Sequence, residues 1–128
     1  MKLLVVHEEA QFCELVEEFA QLCSHQFGID CRSAQSGAQC LDMLKSWGPA
    51  VVLLDVHLTD QDSFGIIDRC CSNGVQVVVM AENSTPEMEK RAQEHGALGY
   101  FQKSEDPEDI EKLLAQLSTI PTPDRTLH

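Results

Sequence analysis

The chain has 128 residues, 43% of them hydrophobic, which is enough for one domain with a single core. Its 9 basic and 21 acidic residues give a formal net charge of −12. So acidic a surface disfavours non-specific binding to nucleic acid or to an anionic membrane. No apolar run approaches the roughly 18 residues of a membrane helix. The apolar start stops at His7, too early for a signal peptide, so we expect a cytoplasmic protein.

The cysteines show no pattern of a disulfide framework or a metal site. There are six of them: Cys13, Cys23, Cys31, Cys40, Cys70 and Cys71. None belongs to a Cys-x-x-Cys pair, and the cytosol keeps thiols reduced. We interpret them as small buried hydrophobic residues. A redox switch at the adjacent Cys70 and Cys71 is the less favoured alternative, because no neighbour would lower a thiol pKa there.

The first half of the chain alternates short apolar runs with helical periodicity. Residues 3–6 are typical of a strand buried on both faces. Apolar residues then recur every three or four positions, which predicts a helix from about residue 9 to residue 27, before Gly28. The predicted apolar face consists of Phe12, Leu15, Val16, Phe19, Leu22 and Cys23. Residues 29–34 alternate like an edge strand, and Ser36 opens a helix that ends before Gly48.

The second half repeats the same alternation three times. Residues 50–54 and 75–80 are buried-strand runs, and 98–102 is a last strand. A short helix after residue 63 has Phe64, Ile67, Cys70 and Cys71 on its predicted inner face. Ser84 and Glu87 form a capping-box pattern that opens the next helix, and Asp106 opens the last one. We assign residues 1–118 to the domain and 119–128 to a tail or the start of a linker.

Five strand–helix repeats predict a parallel sheet covered on both faces. Ligands of such sheets bind beyond the carboxyl ends of the strands, where the strand order reverses. The residues at those ends include His7, Glu8, Glu9, Asp55 and Lys103. Crowded carboxylates of this kind suit Mg²⁺. An aspartate can also attack phosphorus, and Mg²⁺ with a lysine can neutralise the charge of the transferred group.

These segments resemble the receiver domain of two-component response regulators over residues 1–118. The matching pieces are LLVVHEE at 3–9, VVLLD at 51–55 and GALGYFQK at 96–103. The last is similar to the G-A-x-x-Y-x-x-K stretch of that family. The resemblance implies an α/β fold: a single (βα)5 flavodoxin-like, doubly wound parallel sheet with strand order 2-1-3-4-5. It also implies a role in phosphorelay signal transduction.

The resemblance carries specific roles to individual residues. Asp55 aligns with the phosphoacceptor, and Lys103 with the phosphate-binding lysine. Glu8 aligns with the principal metal-binding aspartate, and His57 stands where a backbone carbonyl completes the Mg²⁺ site. His7 aligns with the acidic residue before that aspartate and is a further candidate metal ligand. A transition metal bound by His7, Glu8 and Asp55, with or without His57, is the alternative to Mg²⁺.

The sequence departs from the family at the metal site and at the switch. His7 replaces an acid, and Ala81 stands where the family has the switch threonine or serine. Tyr100 aligns with the aromatic residue whose rotamer reports activation. Ser104 replaces a proline that normally follows a cis peptide bond, so we expect a trans bond or a strained loop there. In the acceptor loop, Thr59 and Ser63 replace the usual proline and glycine.

The predicted function is acceptance of a phosphoryl group on Asp55 from a histidine kinase or a phosphotransfer protein. Enzymatic activity would then be limited to self-phosphorylation and dephosphorylation. The output would be a downstream protein or a missing output domain, with a homodimer through the fourth helix, last strand and last helix. The alternative is a phosphorylation-independent pseudo-receiver that binds proteins. A flavodoxin-like redox protein is disfavoured, because Glu8 and Glu9 would repel a flavin phosphate.

Overall fold

The computed structural model describes residues 1–121, so most of the predicted tail at 119–128 lies outside the described residues. The strands are β1 Lys2–Val6, β2 Asp30–Ala34, β3 Val51–Asp55, β4 Gln76–Ala81 and β5 Gly99–Gln102. The helices are α1 Ala10–Leu22, α2 Ser24–Phe27, α3 Gly37–Ser46, α4 Ser63–Ser72, α5 Pro86–Glu94 and α6 Pro107–Ser118. All strand pairs are parallel, in the order β2-β1-β3-β4-β5. This confirms the predicted α/β sheet and its strand order.

The two central strands are buried on both faces, as continuous apolar runs in a parallel sheet should be. In β1, Leu4 and Val6 pack into one core cluster, while Leu3 and Val5 pack into a second cluster on the opposite face. This alternation follows from the two-residue period of a strand. The helices α3, α4 and α5 cover the first face, and α1 and α6 cover the second.

The first predicted helix is interrupted, which corrects part of its apolar face. The backbone leaves helical geometry at Cys23, whose carbonyl accepts hydrogen bonds from the N–H groups of Gln26 and Phe27. The helix α1 ends there, and Leu22, its last residue, is 77% exposed rather than buried. The stop at Gly28 is confirmed, because this glycine adopts the left-handed conformation after α2.

Two smaller expectations on α4 and α5 are also wrong. Cys71 is exposed, because neighbouring residues on a helix point about 100° apart and Cys70 already faces the core. The cap of α5 is Thr85 rather than Ser84: the Thr85 hydroxyl accepts a hydrogen bond from the Met88 N–H at 3.2 Å. Pro86 then occupies the first turn, where its missing N–H costs nothing.

All six cysteines are free thiols. Burial raises the pKa of Cys31 to about 12. A hydrogen bond with Cys40, together with burial, raises the pKa of Cys70, and burial raises that of Cys71. The adjacent pair therefore has none of the thiolate character of a redox centre. No helix within residues 1–121 combines the length and apolarity needed to cross a membrane.

Gly96 is required by its backbone and by its neighbour. Its φ is +111°, and a Cβ atom added there would lie 2.8 Å from the Cys71 Sγ. We predict that Gly96→Ala lowers the free energy of unfolding by roughly 2–4 kcal/mol, measured by urea denaturation. In a Cys71→Ala background the loss should be smaller, because only the backbone cost remains. The matched control is Gly28→Ala, where φ is +64° and nothing lies within 4 Å. Equal losses for Gly96→Ala in both backgrounds would contradict the role of the Cys71 contact.

Candidate functional site

The loops after β1, β3 and β4 enclose a cavity at the carboxyl edge of the sheet. The cavity has a volume of about 340 Å³ and is lined by His7, Glu8, Glu9, Asp55, His57, Glu82 and Asn83. It lies where the strand order reverses, since β1 connects to β2 on one side and β3 connects to β4 on the other. The structure thus brings together His7, Glu8, Glu9 and Asp55, which the sequence places after separate strands, whereas Lys103 is not among the lining residues.

Asp55 is the last residue of β3 and is only 9% exposed. Its Oδ1 accepts a hydrogen bond from the His57 N–H at 3.0 Å, and its carbonyl accepts one from the Ser63 hydroxyl at 3.0 Å. Within residues 1–121 no hydrogen bond reaches Oδ2, which faces His7. Asp55 is therefore a carboxylate with one oxygen fixed by its own loop and the other available to a reacting group.

His7 lies directly beside Asp55 and is 5% exposed. Its Nδ1 accepts a hydrogen bond from the Glu9 N–H at 3.0 Å, and its Nε2 lies 3.6 Å from Asp55 Oδ2. Burial lowers the pKa of the imidazole below its ordinary value, although Asp55 acts in the opposite direction. Because Nδ1 accepts the hydrogen bond from Glu9, the ring in this arrangement carries its proton on Nε2. Neither nitrogen offers a free lone pair, so His7 as placed is no metal ligand.

Glu8 is exposed, and its Oε2 accepts a hydrogen bond from the Thr59 hydroxyl at 2.5 Å. In residues 1–121 no group of three His, Cys, Asp or Glu side chains has the arrangement of a metal site. The oxygens of Glu8, Asp55 and the His57 carbonyl fit Mg²⁺ in kind, since this ion takes one or two carboxylates and keeps several waters. For them to hold the ion, Glu8 has to leave Thr59.

The other acids of the β3–α4 loop accept hydrogen bonds from backbone N–H groups at the starts of α3 and α4. The Asp60 carboxylate accepts hydrogen bonds from the Gly37 and Ala38 N–H groups at 2.8 and 3.0 Å, and these bonds lower its pKa. Asp62 caps α4 by accepting a hydrogen bond from the Phe64 N–H at 3.1 Å. Both side chains therefore tie the loop to the helices, and neither lines the cavity.

Lys103 follows β5, and its side chain is only 7% exposed. Its N–H donates to the Ala81 carbonyl at 2.7 Å, and its Nζ donates to Glu9 at 3.3 Å and to Glu82 at 3.2 Å. Burial alone would lower the pKa of Lys103, but the hydrogen bonds to Glu82 and Glu9 outweigh it and raise that pKa. Lys103 is thus a charged lysine held by two acids, and within residues 1–121 no ion pair joins it to Asp55.

Glu82 and Thr59 are site residues to which the sequence alone assigned no role. Glu82 follows β4 directly, and Lys103 follows the neighbouring strand β5. An acid and a lysine at the same edge of the sheet were the available signal for their ion pair. For Thr59, nothing in the sequence shows that its hydroxyl meets Glu8, 51 positions away.

Ala81 and Tyr100, which the resemblance aligns with the switch positions of the family, lie on the neighbouring strands β4 and β5. Ala81 ends β4 and is buried, so no hydroxyl is present at that point. Tyr100 lies in β5, and its hydroxyl is buried with no hydrogen-bond partner in residues 1–121. Burial raises the pKa of that hydroxyl. Residues 1–121 contain no cis peptide bond, which confirms the trans bond expected at Ser104.

Comparison with known proteins points to one family. The family model of the response regulator receiver domain matches residues 3–115. Sporulation initiation phosphotransferase F of Bacillus subtilis is 27% identical over 111 residues, covering 85% of this chain and 86% of that protein.

Solved structures agree on the fold. The signal receiver domain of a DNA-binding response regulator from Colwellia psychrerythraea superposes with a TM-score of 0.79 at 23% identity, covering 91% of this chain and 97% of that one. The Mn²⁺-bound form of response regulator Rcp1 gives 0.76 at 19% identity, covering 96% of this chain and 99% of that one. With the family model spanning nearly the whole domain, this chain belongs to the response regulator receiver domains of two-component signalling.

Proposed function

We propose that Asp55 accepts a phosphoryl group from a phosphohistidine of a histidine kinase or a phosphotransfer protein. The observation that carries this proposal is the buried Asp55 carboxylate in the lining of the cavity, whose Oδ2 receives no hydrogen bond from residues 1–121. In the transfer, a bond forms between the aspartate oxygen and phosphorus while the phosphorus–nitrogen bond of the donor breaks. The electron pair of that bond returns to the donor imidazole.

Lys103 is the proposed partner of the transferred group. It is charged, and its acids Glu9 and Glu82 are more than half exposed, so water can solvate them when the lysine leaves. A phosphoryl group on Asp55 adds negative charge to the cavity and would draw Lys103 towards it. The two glutamates therefore hold the lysine ready without attaching it to Asp55 in the resting protein.

Mg²⁺ is the proposed cation, held by Glu8, Asp55 and the carbonyl of His57. When bound, it would neutralise charge on the oxygens of the transferred group. The competing hydrogen bond between Glu8 and Thr59 makes this binding weaker than that of a carboxylate already turned towards the cavity. His7 contributes no ligand to it, because its lone pair is used by the Glu9 N–H.

The proposed output is a downstream protein or a further domain, which contacts the face formed by α5, β5 and α6. A homodimer through the same face is part of the proposal. Ala81 offers no hydroxyl to the phosphoryl group, so the signal has to leave by another contact than the usual one. The free thiols support a reducing compartment such as the cytoplasm. Enzymatic activity is limited to phosphorylation and dephosphorylation of Asp55 itself.

Intact mass spectrometry tests the acceptor. After incubation with acetyl phosphate and Mg²⁺, the protein should gain the mass of one phosphoryl group, and Asp55→Asn should gain none. Asp42→Asn, which changes an exposed aspartate on α3, is the matched control and should gain it as the parent does. A folded parent that gains no mass at high Mg²⁺, with phosphodonors including a phosphorylated histidine kinase, would contradict the proposal. It would leave the protein-binding pseudo-receiver.

Thr59→Val tests the metal arrangement, because it removes the hydroxyl and nearly keeps the shape. We expect the Mg²⁺ dissociation constant to fall about fivefold, the equivalent of one net hydrogen bond of about 1 kcal/mol. Isothermal titration calorimetry measures it. Adding Glu8→Gln to the same variant should abolish the gain, since the freed carboxylate is then absent. An unchanged constant in Thr59→Val would show that Glu8 is not held from the ion by Thr59.

Tyr100→Phe tests the unpartnered hydroxyl. Because that hydroxyl is buried and residues 1–121 offer it no hydrogen bond, its removal should leave the free energy of unfolding unchanged or raise it by about 1 kcal/mol. Ser63→Ala is the contrasting control, since its buried hydroxyl donates to the Asp55 carbonyl and its loss should cost about 1 kcal/mol. Urea denaturation measures both. A loss above about 1 kcal/mol for Tyr100→Phe would contradict the buried, unpaired position.

A further inference from the structure

We propose that His7 is a catalytic residue, which donates its Nε2–H to the phosphoryl group on Asp55 and takes over part of the charge stabilisation that a metal ion supplies elsewhere. This inference rests on the proposed phosphorylation of Asp55. It follows from where the His7 proton lies, how the ring is held and how far it stands from the acceptor.

The proton of His7 is placed by a hydrogen bond on the opposite side of the ring. The Glu9 N–H donates to Nδ1 at 3.0 Å, so Nδ1 must keep its lone pair. A neutral imidazole then carries its hydrogen on Nε2, the nitrogen that faces Asp55. Because the donor is a backbone N–H, which always carries its hydrogen, this assignment does not depend on any other side chain.

The ring is fixed before any ligand arrives. The ring is buried, and its centroid lies 4.9 Å from that of the Phe12 ring. The backbone N–H of His7 donates to the Ala34 carbonyl at 3.0 Å, which fixes the backbone that carries the ring. A donor held in this way needs no rearrangement when charge develops next to it, which is the condition under which hydrogen bonds contribute most to a reaction.

The distance to Asp55 favours the phosphorylated state over the free carboxylate. Nε2 lies 3.6 Å from Oδ2, beyond the 2.7–3.2 Å typical of an N–H···O hydrogen bond. An oxygen of a phosphoryl group attached at Oδ2 extends into the cavity and can approach Nε2 more closely. The donor therefore gains its bond as the oxygen–phosphorus bond forms, and this lowers the barrier rather than stabilising the resting state.

The charges around the cavity explain why such a donor matters. Glu8, Glu9 and Glu82 line it together with Asp55, and Lys103 is shared between two of these acids. An acid at position 7 would add to the repulsion of an incoming phosphoryl group unless a cation balanced it. A neutral imidazole removes one negative charge and adds an N–H. We therefore expect phosphorylation to depend only weakly on divalent cations.

The reaction balances without a proton moving at His7. With acetyl phosphate, an Asp55 oxygen attacks phosphorus, the bond from phosphorus to the acetyl oxygen breaks, and acetate leaves with the electron pair. The Nε2 hydrogen stays on the ring throughout. His7 acts as a hydrogen-bond donor and not as a general acid.

Three substitutions of His7 distinguish the effect of its N–H donor from the effect of its ring. His7→Phe keeps a ring against Phe12 but has no donor, His7→Gln offers an amide N–H, and His7→Asp introduces an acid. Phosphorylation rates with acetyl phosphate are measured by intact mass, in EDTA and across a Mg²⁺ titration, on variants shown by circular dichroism to be folded. Mg²⁺ affinity is measured in parallel by calorimetry.

The parent should keep its rate in EDTA within about tenfold of the rate at saturating Mg²⁺. His7→Phe should lose about 100-fold in EDTA, the scale of removing one donor to a developing negative charge, and His7→Gln should recover part of it. His7→Asp should bind Mg²⁺ more tightly than the parent, and its phosphorylation rate should rise steeply with the Mg²⁺ concentration. Long-range ¹H–¹⁵N correlation spectra of the parent should show the Nε2–H form, with the Nε2 signal shifting after phosphorylation.

Equal rates for the parent and His7→Phe in EDTA would overturn the inference and leave the phosphorylation of Asp55 intact. An Nδ1–H tautomer would also overturn it. A parent that is never phosphorylated would instead overturn the proposed function, and the role of His7 with it.

Discussion

The site depends on one constraint, the parallel pairing of β1 with β3 at the centre of the sheet. Val6 pairs with Leu54, so the residues that follow them lie side by side: His7 just after the end of β1, and Asp55 at the end of β3. Both strands are buried on both faces, and a shift of register by one residue would exchange the side chains of the two core clusters. The packing of the core therefore sets the 3.6 Å between Nε2 and Oδ2.

Negative charge is the second constraint, and it gives the cavity its resting arrangement. Each acid at the edge has a partner within the chain: Thr59 for Glu8, and Lys103 for Glu9 and Glu82. Asp55 Oδ2 is the exception in residues 1–121. A carboxylate left in this state between satisfied neighbours is the group on which an electrophile such as phosphorus would act. The positively charged Lys103 lies close by, paired with the two exposed glutamates Glu9 and Glu82.

Much of the fold could be predicted from the chain because its signals are local. Continuous apolar runs marked β1, β3 and β4, and the caps Ser36 and Asp106 marked two helix starts. Local signals failed at two helix ends. Thr85 rather than Ser84 caps α5, and the apolar period that predicts burial of Leu22 continues past the end of α1.

The sequence by itself determined the strand–helix order, the family and the set of chemical groups at the carboxyl edge, since each follows from residue type and position along the chain. Only the tertiary structure decided what those groups do to one another. The proton position on His7, the turn of Glu8 towards Thr59 and the sharing of Lys103 depend on hydrogen bonds between side chains and loops. Such bonds are set by distances and directions of a few ångströms across strands distant in sequence, and a linear pattern of residues does not contain them.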